Sequence, residues 1–295
     1  MRLARAIHVC GFAELPPVEL DHRSEAELVQ AVTALALADA GMQRGDIGFT
    51  CSGSSDYVMG RPFSFVMALD GVGAWPPIRE SHVEMDGAWA LYEAFIRLQH
   101  GDVDTALVYA FGKSSLGALA DVLALQLDPY TLAPLGVTHE VLAGLQVQAL
   151  RDRGVEASLE GAEHRDGAAA ICLRVGGEGP RIAAIDHRID AHDPGLRELT
   201  RVPSAELAAR ACGTEGVEIA HLHARWAHEE VLLREALGLS CETRSSRMAD
   251  VPMVSGLANI GRAAQAVRDG VPRALAHAAQ GPMLQQNLVC ILEAA

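Results

Sequence analysis

Three histidines stand close together in the chain, His221, His223 and His228. In an extended strand, His221 and His223 share one face, and His228 follows a little over one helical turn beyond His223. Imidazoles in this pattern raise two chemistries, metal ligation and proton transfer. A metal needs a third ligand in fixed geometry, which the spacing does not supply, so no metal is expected. Proton transfer needs a polar side chain delivered to a strand's C-terminal end, and His223 closes the run that begins at Val217. His82 and Glu84 form a second candidate pair, because alternate residues of a strand lie on one side. Glu84 precedes the helix start at Asp86-Gly87, so it reads either as a general base or as a carboxylate capping that helix. His82 either pairs with Glu84 or sits at a subunit interface. Gln280 and Gly281 read as an oxyanion loop built from backbone N–H groups or as an ordinary turn. Tyr57 and Tyr130 occupy irregular segments within reach of a site mouth. Glu229 and Glu230 read as negative charge at a helix N-terminus. Lys113, the single lysine, is weighed as a Schiff-base amine, which needs desolvation and a depressed pKa.

These residues need a frame. Apolar runs alternate with amphipathic stretches, which argues for α/β layers. Strands are expected over Ala6–Phe12, Ile47–Cys51, Ile78–Val83, Thr105–Phe111 and Ala168–Arg174. Helices are expected over Glu25–Ala40 and Gly87–Leu98, with a short one inside Gly60–Gly71. The region Leu116–Glu156 reads as mostly helical. The second half repeats the plan, with strands at Arg181–Ile185, Val217–His223, Arg273–Ala278 and Asn287–Leu292. Its helices are Ser204–Cys212, Trp226–Leu237 and Met253–Val267. Gly176–Pro180 is the obvious internal linker. It divides the chain into halves at 1–176 and 177–295.

Composition narrows the function classes. The 295 residues are 49% apolar and 21% charged, enough for a sizeable core. The formal charge of −14 and the 4% aromatic content argue against nucleic-acid binding or an anionic membrane surface. The six cysteines are widely scattered and mostly flanked by apolar residues, which points to reduced, buried thiols. With no signal-like N-terminus and no stretch long enough to span a bilayer, a cytoplasmic protein is expected.

Several strings in shared order resemble the thiolase superfamily, most closely its lipid-transfer-protein-type, non-decarboxylating branch. Ala36–Gly41 followed by Gly45-Asp46-Ile47 is similar to that family's first helix and turn. Asp102–Lys113 resembles the strand ending in its Glu-Lys-Met-Ser signature, which makes Lys113 a structural or dimer-face residue. Asp166–Ala170 resembles the strand after the loop region. His223-Ala-Arg-Trp226, with Glu229-Glu230, resembles the His-Asp-x-Phe motif, and Gly281–Asn287 resembles the C-terminal glycine loop. The resemblance implies a five-layered αβαβα body of two pseudo-symmetric halves and a homodimer. It also implies a possible small OB-fold partner and coenzyme A thioesters as possible substrates, with no cofactor.

Most of the family's catalytic set is missing from the matching positions. Glu84, or Met85 after a one-residue slip, stands where the family has its nucleophilic cysteine. Val251 stands at the histidine of Gly-His-Pro, and the C-terminal cysteine falls near Ala279. His223 matches the remaining catalytic position. Between Lys113 and Asp166 only about fifty residues replace a larger loop domain that covers coenzyme A in relatives, so a shortened loop region is expected over about 114–165. Two functions stay open. One is acyl-thioester carbon–carbon cleavage of retro-aldol type, or acyl transfer, carried by Glu84 and His223 without a cysteine nucleophile. The other is a catalytically degenerate binding or assembly subunit, or an acyl carrier, on the same fold.

Overall fold

The structure, a computed structural model, describes residues 4–59, 63–73 and 79–294. The first half runs β1 (Ile7–Glu14), α1 (Glu25–Asp39), β2 (Phe49–Gly53), α2 (Asp56–Met59), α3 (Ser64–Val72), β3 (Arg79–Val83) and α4 (Gly87–His100). It continues with β4 (Thr105–Gly112), α5 (Leu119–Ala124), α6 (His139–Asp152) and β5 (Gly167–Val175). The second runs β6 (Arg181–Ile189), α7 (Pro203–Cys212), β7 (Ile219–Leu222), α8 (Ala227–Ala236), β8 (Glu242–Ser245), α9 (Ser255–Arg268), β9 (Arg273–Gln280) and β10 (Gln286–Glu293).

The strand order is β3-β2-β4-β5-β1-β6-β10-β9-β7-β8. Read outward from the β1–β6 junction, each half gives its first, fifth, fourth, second and third strand. Pairing repeats too. β2 runs parallel to β3 and β4 as β7 does to β8 and β9, while β5 and β10 are antiparallel to both their neighbours. The halves meet through the pair His8↔Arg181 and the bond from Val9 N–H to the Pro180 carbonyl.

Alternation along the strands builds the layers. On β4, Ala106, Val108 and Ala110 face a cluster that contains Leu91 and Phe95 of α4 and Leu257 and Ile260 of α9. Leu107, Tyr109 and Phe111 face the other way, onto Leu28 and Val32 of α1. In the second half, Leu222, Leu275, Val289 and Ile291 pack against Ala208 of α7 and Leu232 and Leu233 of α8. Helices therefore cover both outer faces, and α4 with α9 fills the space between the half-sheets. This is the five-layered αβαβα body expected from the sequence.

Two features differ from the sequence expectation. The polar stretch Glu242–Ser245 forms the edge strand β8, which lacks the apolar run that marks a buried strand. The 114–165 region carries α6 and the short α5, with turns around both prolines. Part of the short helix expected in Gly60–Gly71, and Ile78 of the third expected strand, lie outside the described residues. No helix among the described residues is long and apolar enough to cross a membrane.

Candidate active site at the C-terminal ends of β7 and β9

Parallel strands end together at one edge of the body, and helix N-termini gather there. The chain leaves β7 at His223 and β9 at Gln280, while α4, α8 and α9 start nearby. Between them lies a cavity of about 120 Å³. Its polar lining is Asp86, Gln126, His139, His164, His223, Arg225, Glu229, Asp250 and Gln280.

Asp86 joins two helix starts. As N-cap of α4 its carboxylate accepts from Ala88 N–H at 2.8 Å, and it also accepts from Gly256 N–H at 3.0 Å and Leu257 N–H at 3.1 Å at the start of α9. Each otherwise unpaired N–H of a helix's first turn gains an acceptor. A Cβ on Gly256 would stand 2.4 Å from Asp86 Oδ1, so this approach requires glycine. Burial raises the Asp86 carboxyl above its ordinary value, outweighing the charge of His223 and the three N–H bonds.

His223 is held at both ring nitrogens. Nε2 lies 3.1 Å from Asp250 Oδ1, and Nδ1 faces the Ala279 N–H at 3.3 Å. Burial works against its charge, but the hydrogen bond and charge of Asp250, then the charges of Asp86 and Glu229, outweigh it and raise its pKa. Asp250 is shared. Its Oδ2 lies 3.0 Å from Nδ1 of His164, with the N–H direction off the line of a formed hydrogen bond. Burial alone would raise the Asp250 carboxyl, yet the contacts and charges of His164 and His223 hold it well below the usual carboxylate range.

Glu229 is the N3 residue of α8, and its Oε2 accepts from Arg225 N–H at 2.8 Å and Trp226 N–H at 3.2 Å. Burial lifts its carboxyl to about 7, against those bonds and the charge of His223. His139, at the start of α6, has its pKa pushed down to about 4 by burial. The Arg225 guanidinium lies 4.5 Å from the Trp226 ring, and its Nε donates to the Ala162 carbonyl. Met253, on the wall, is held at φ 69, a left-handed conformation that is strained for a residue with a Cβ.

Of the residues singled out in the sequence, His223, Glu229, Gln280 and Gly281 line the cavity. Gln280 spends its Oε1 on the Asp86 N–H at 2.9 Å, and Gly281 turns the chain at φ 78. Glu84 is elsewhere. Its carboxylate accepts from Asp56 N–H at 2.6 Å, at the start of α2 rather than α4, and lies 3.0 Å from His82 Nε2. Glu84 and His223 are therefore not paired, and the carboxylate bonded to His223 is Asp250. His82 also meets Ser52 Oγ at 2.9 Å and stacks on Phe65, away from the cavity. Tyr57 is 68% exposed and does not line the cavity, although its neighbour Val58 does. His221 faces a different groove and His228 bonds Gln146. No group of three or more His, Cys, Asp or Glu that could hold a metal occurs among the described residues. Lys113 donates to the Arg23 carbonyl.

Sequence reasoning missed Asp86, His139, His164 and Asp250. Asp86 had a legible signal, an aspartate directly before a helical glycine. His164 and Asp250 are 86 residues apart in the chain and carry none. No cysteine is among the cavity-lining residues. Burial raises all six thiols, Cys51 and Cys212 to about 12.

No protein-family model matches the chain, and no curated protein matches it either. Solved structures do. The human mitochondrial 3-ketoacyl-CoA thiolase in complex with CoA is 14% identical, with a TM-score of 0.75 over 100% of this chain and 99% of that one. An Ltp2-ChsH2(DUF35) aldolase is 15% identical, with a TM-score of 0.77 over 99% of each chain. At these identities the likeness speaks for architecture, and the architecture of this chain is that of a thiolase-like fold.

Proposed function

We propose that this protein cleaves a carbon–carbon bond beside an acyl thioester by acid–base chemistry, in a retro-aldol reaction without a cysteine nucleophile. The observation that carries this reading is the cavity itself. It gathers three imidazoles and three carboxylates, and one carboxyl, Glu229, sits at about 7. A group with that pKa holds or releases a proton near neutrality.

For a β-hydroxyacyl thioester the steps balance without a co-reactant. A base takes the β-hydroxyl proton, and the O–H electron pair becomes the π bond of the released carbonyl. The Cα–Cβ bond breaks, its pair passes to the thioester as an enolate, and a proton returns to Cα. The imidazoles beside Asp250 are placed to serve as the base. Glu229 in its acid form supports the enolate oxygen, because a neutral buried carboxyl donates a hydrogen bond. Acyl transfer to a bound acceptor is a neighbouring use of the same groups. Coenzyme A as carrier, a homodimer, a small OB-fold partner and a cytoplasmic location belong to the same proposal. The structural likeness to an aldolase described as an Ltp2-ChsH2 pair supports the two-component part.

The experiment is a panel of β-hydroxyacyl-CoA compounds with hydrazine trapping of the carbonyl product. Wild type should yield a trapped carbonyl and a shortened acyl-CoA, and Asp250→Asn and Glu229→Gln should each lose about 100-fold or more in kcat. Retention of full activity by both variants removes the proposal. One observation favours the second reading, a binding subunit or acyl carrier: both ring nitrogens of His223 are already engaged within the protein. Thioester-dependent thermal stabilisation with no turnover would select it.

A further inference from the structure

The structure points to His164, rather than His223, as the imidazole that exchanges a proton with the substrate, and we propose it as the general base of the cavity. This rests on the acid–base reading above and assigns the role within it.

His223 has no lone pair to offer. In the neutral ring with Nε2–H donating to Asp250, the Nδ1 lone pair faces the Ala279 N–H at 3.3 Å. In the charged ring both nitrogens carry protons. Taking a proton from substrate would therefore cost His223 an existing bond in the first state and is impossible in the second. His164 is arranged the other way. Its Nδ1 lies 3.0 Å from Asp250 Oδ2 with the N–H direction off the line of a formed hydrogen bond, and its buried Nε2 faces no donor or acceptor of the protein. The negative charge of the carboxylate beside Nδ1 favours the tautomer with its proton there, which leaves the Nε2 lone pair free, as when a carboxylate readies an imidazole as a base.

The backbone enforces the contact. Residues His164 and Asp250 form an isolated parallel bridge, in which Arg165 N–H donates to the Asp250 carbonyl at 2.8 Å and Asp250 N–H donates to the Glu163 carbonyl at 3.4 Å. The segment ahead of β5 is thereby clipped to the turn ahead of α9, which brings the His164 backbone beside Asp250. Asp250 then serves two rings with one oxygen each, orienting His223 and polarising His164. Several other charged or titratable groups line the same cavity: Asp86 at α4, His139 on α6, Glu229 on α8, and Arg225 and His223 beyond β7.

The test reads the tautomers directly. In protein carrying 15N-labelled histidine, ring nitrogen shifts are recorded above the titration range of both rings, with assignments from His164→Gln and His223→Gln. The expected spectrum shows His164 protonated at Nδ1 and unprotonated at Nε2, with the Nδ1 proton signal moved in Asp250→Asn. A His164 ring protonated at Nε2 overturns the assignment, and this readout needs no substrate. In the activity arm, with β-hydroxyacyl-CoA, His164→Ala should lose about 100-fold or more in kcat with little change in KM. Added imidazole should restore part of it, which a purely structural role would not allow. Wild-type activity retained by His164→Ala also overturns the proposal. A wild type inactive on every thioester counts against the reaction proposed above, and the tautomers still decide how His164 is held.

Discussion

Replacing Asp86 separates its two duties, closing helix ends and carrying charge. Asp86 is 1% exposed and accepts from three backbone N–H groups, one on α4 and two on α9. Asp86→Ala leaves three buried donors without a partner. At about 1–2 kcal/mol each, this amounts to about 3–6 kcal/mol, before a smaller relief from no longer burying a charge. Asp86→Asn is milder. Its Oδ1 can keep Ala88 and Leu257, but its amide group would then meet the Gly256 N–H donor to donor, at a cost of about 1–2 kcal/mol. For a chain of this size, about 2–3 °C of Tm accompanies each kcal/mol. The alanine variant should melt about 6–18 °C below wild type, and the asparagine variant about 2–6 °C below. Burial raises the folded Asp86 pKa, so its contribution is full below the unfolded value and lost as pH rises through the folded one. The gap between wild type and Asp86→Asn should therefore narrow toward alkaline pH. Thermal melts across the pH range measure both effects. An alanine variant within 3 °C (about 1 kcal/mol) of wild type, or an asparagine variant that melts below it, would refute the view that Asp86 ties α4 to α9.

Glu229 has a folded pKa raised to about 7 by burial, so its contribution to stability is present below the ordinary glutamate range and lost as pH climbs through about 7. Wild type should lose stability relative to Glu229→Gln as pH rises from about 4.5 to about 7 and little further above that, and parallel melting curves across that window would contradict the burial argument. Gly256→Ala would place a Cβ 2.4 Å from Asp86 Oδ1 and 2.5 Å from the Ala278 Cβ; a loss of about 2 kcal/mol or more is expected from urea titration. Cys51, Cys172, Cys212 and Cys290 are buried, so native protein should react fast with a thiol reagent at Cys10 and Cys241 at most. Fast modification of a third thiol would show that the body opens.

Long periodic elements were legible because their pattern is local. β4 alternates between two apolar faces, and α4 carries an apolar stripe between the Asp86 cap and Gly101, both visible in a short window of sequence. β8 was not, because an edge strand of Glu, Thr, Arg and Ser buries too little to show a period. At the site, the end of an apolar run located His223, and the turn after β9 located Gln280 and Gly281. The Asp250 partner of His223, and the second ring that Asp250 meets, were illegible. Asp250 stands 27 residues away and His164 comes from the other half of the chain. Glu84 illustrates the limit of register. It lies two residues from Asp86, yet the chain between them turns from the end of β3 into α4, which leaves one carboxylate on α2 and the other in the cavity.

The segment between Lys113 and Asp166 brings residues to the site from parts of the chain far from β7 and β9. Leu123 and Gln126 of the α5 end, His139 of α6 and His164 all come from the stretch of about fifty residues between Lys113 and Asp166. A trimmed covering segment still excludes water and places polar groups if its few residues are fastened to the sheet body, and the bridge between His164 and Asp250 is such a fastening. Val251, which the sequence resemblance sets at the histidine of the Gly-His-Pro motif, is 4% exposed and spends its N–H on Ser255 Oγ. An imidazole is nonetheless present one residue away, against Asp250, supplied by a different segment. Proton transfer depends on where the imidazole stands and what holds its other nitrogen, not on which segment carries it. Loss of a motif residue from one strand end is thus compatible with retained acid–base chemistry, provided that the carboxylate and the clip that position the substitute are kept together.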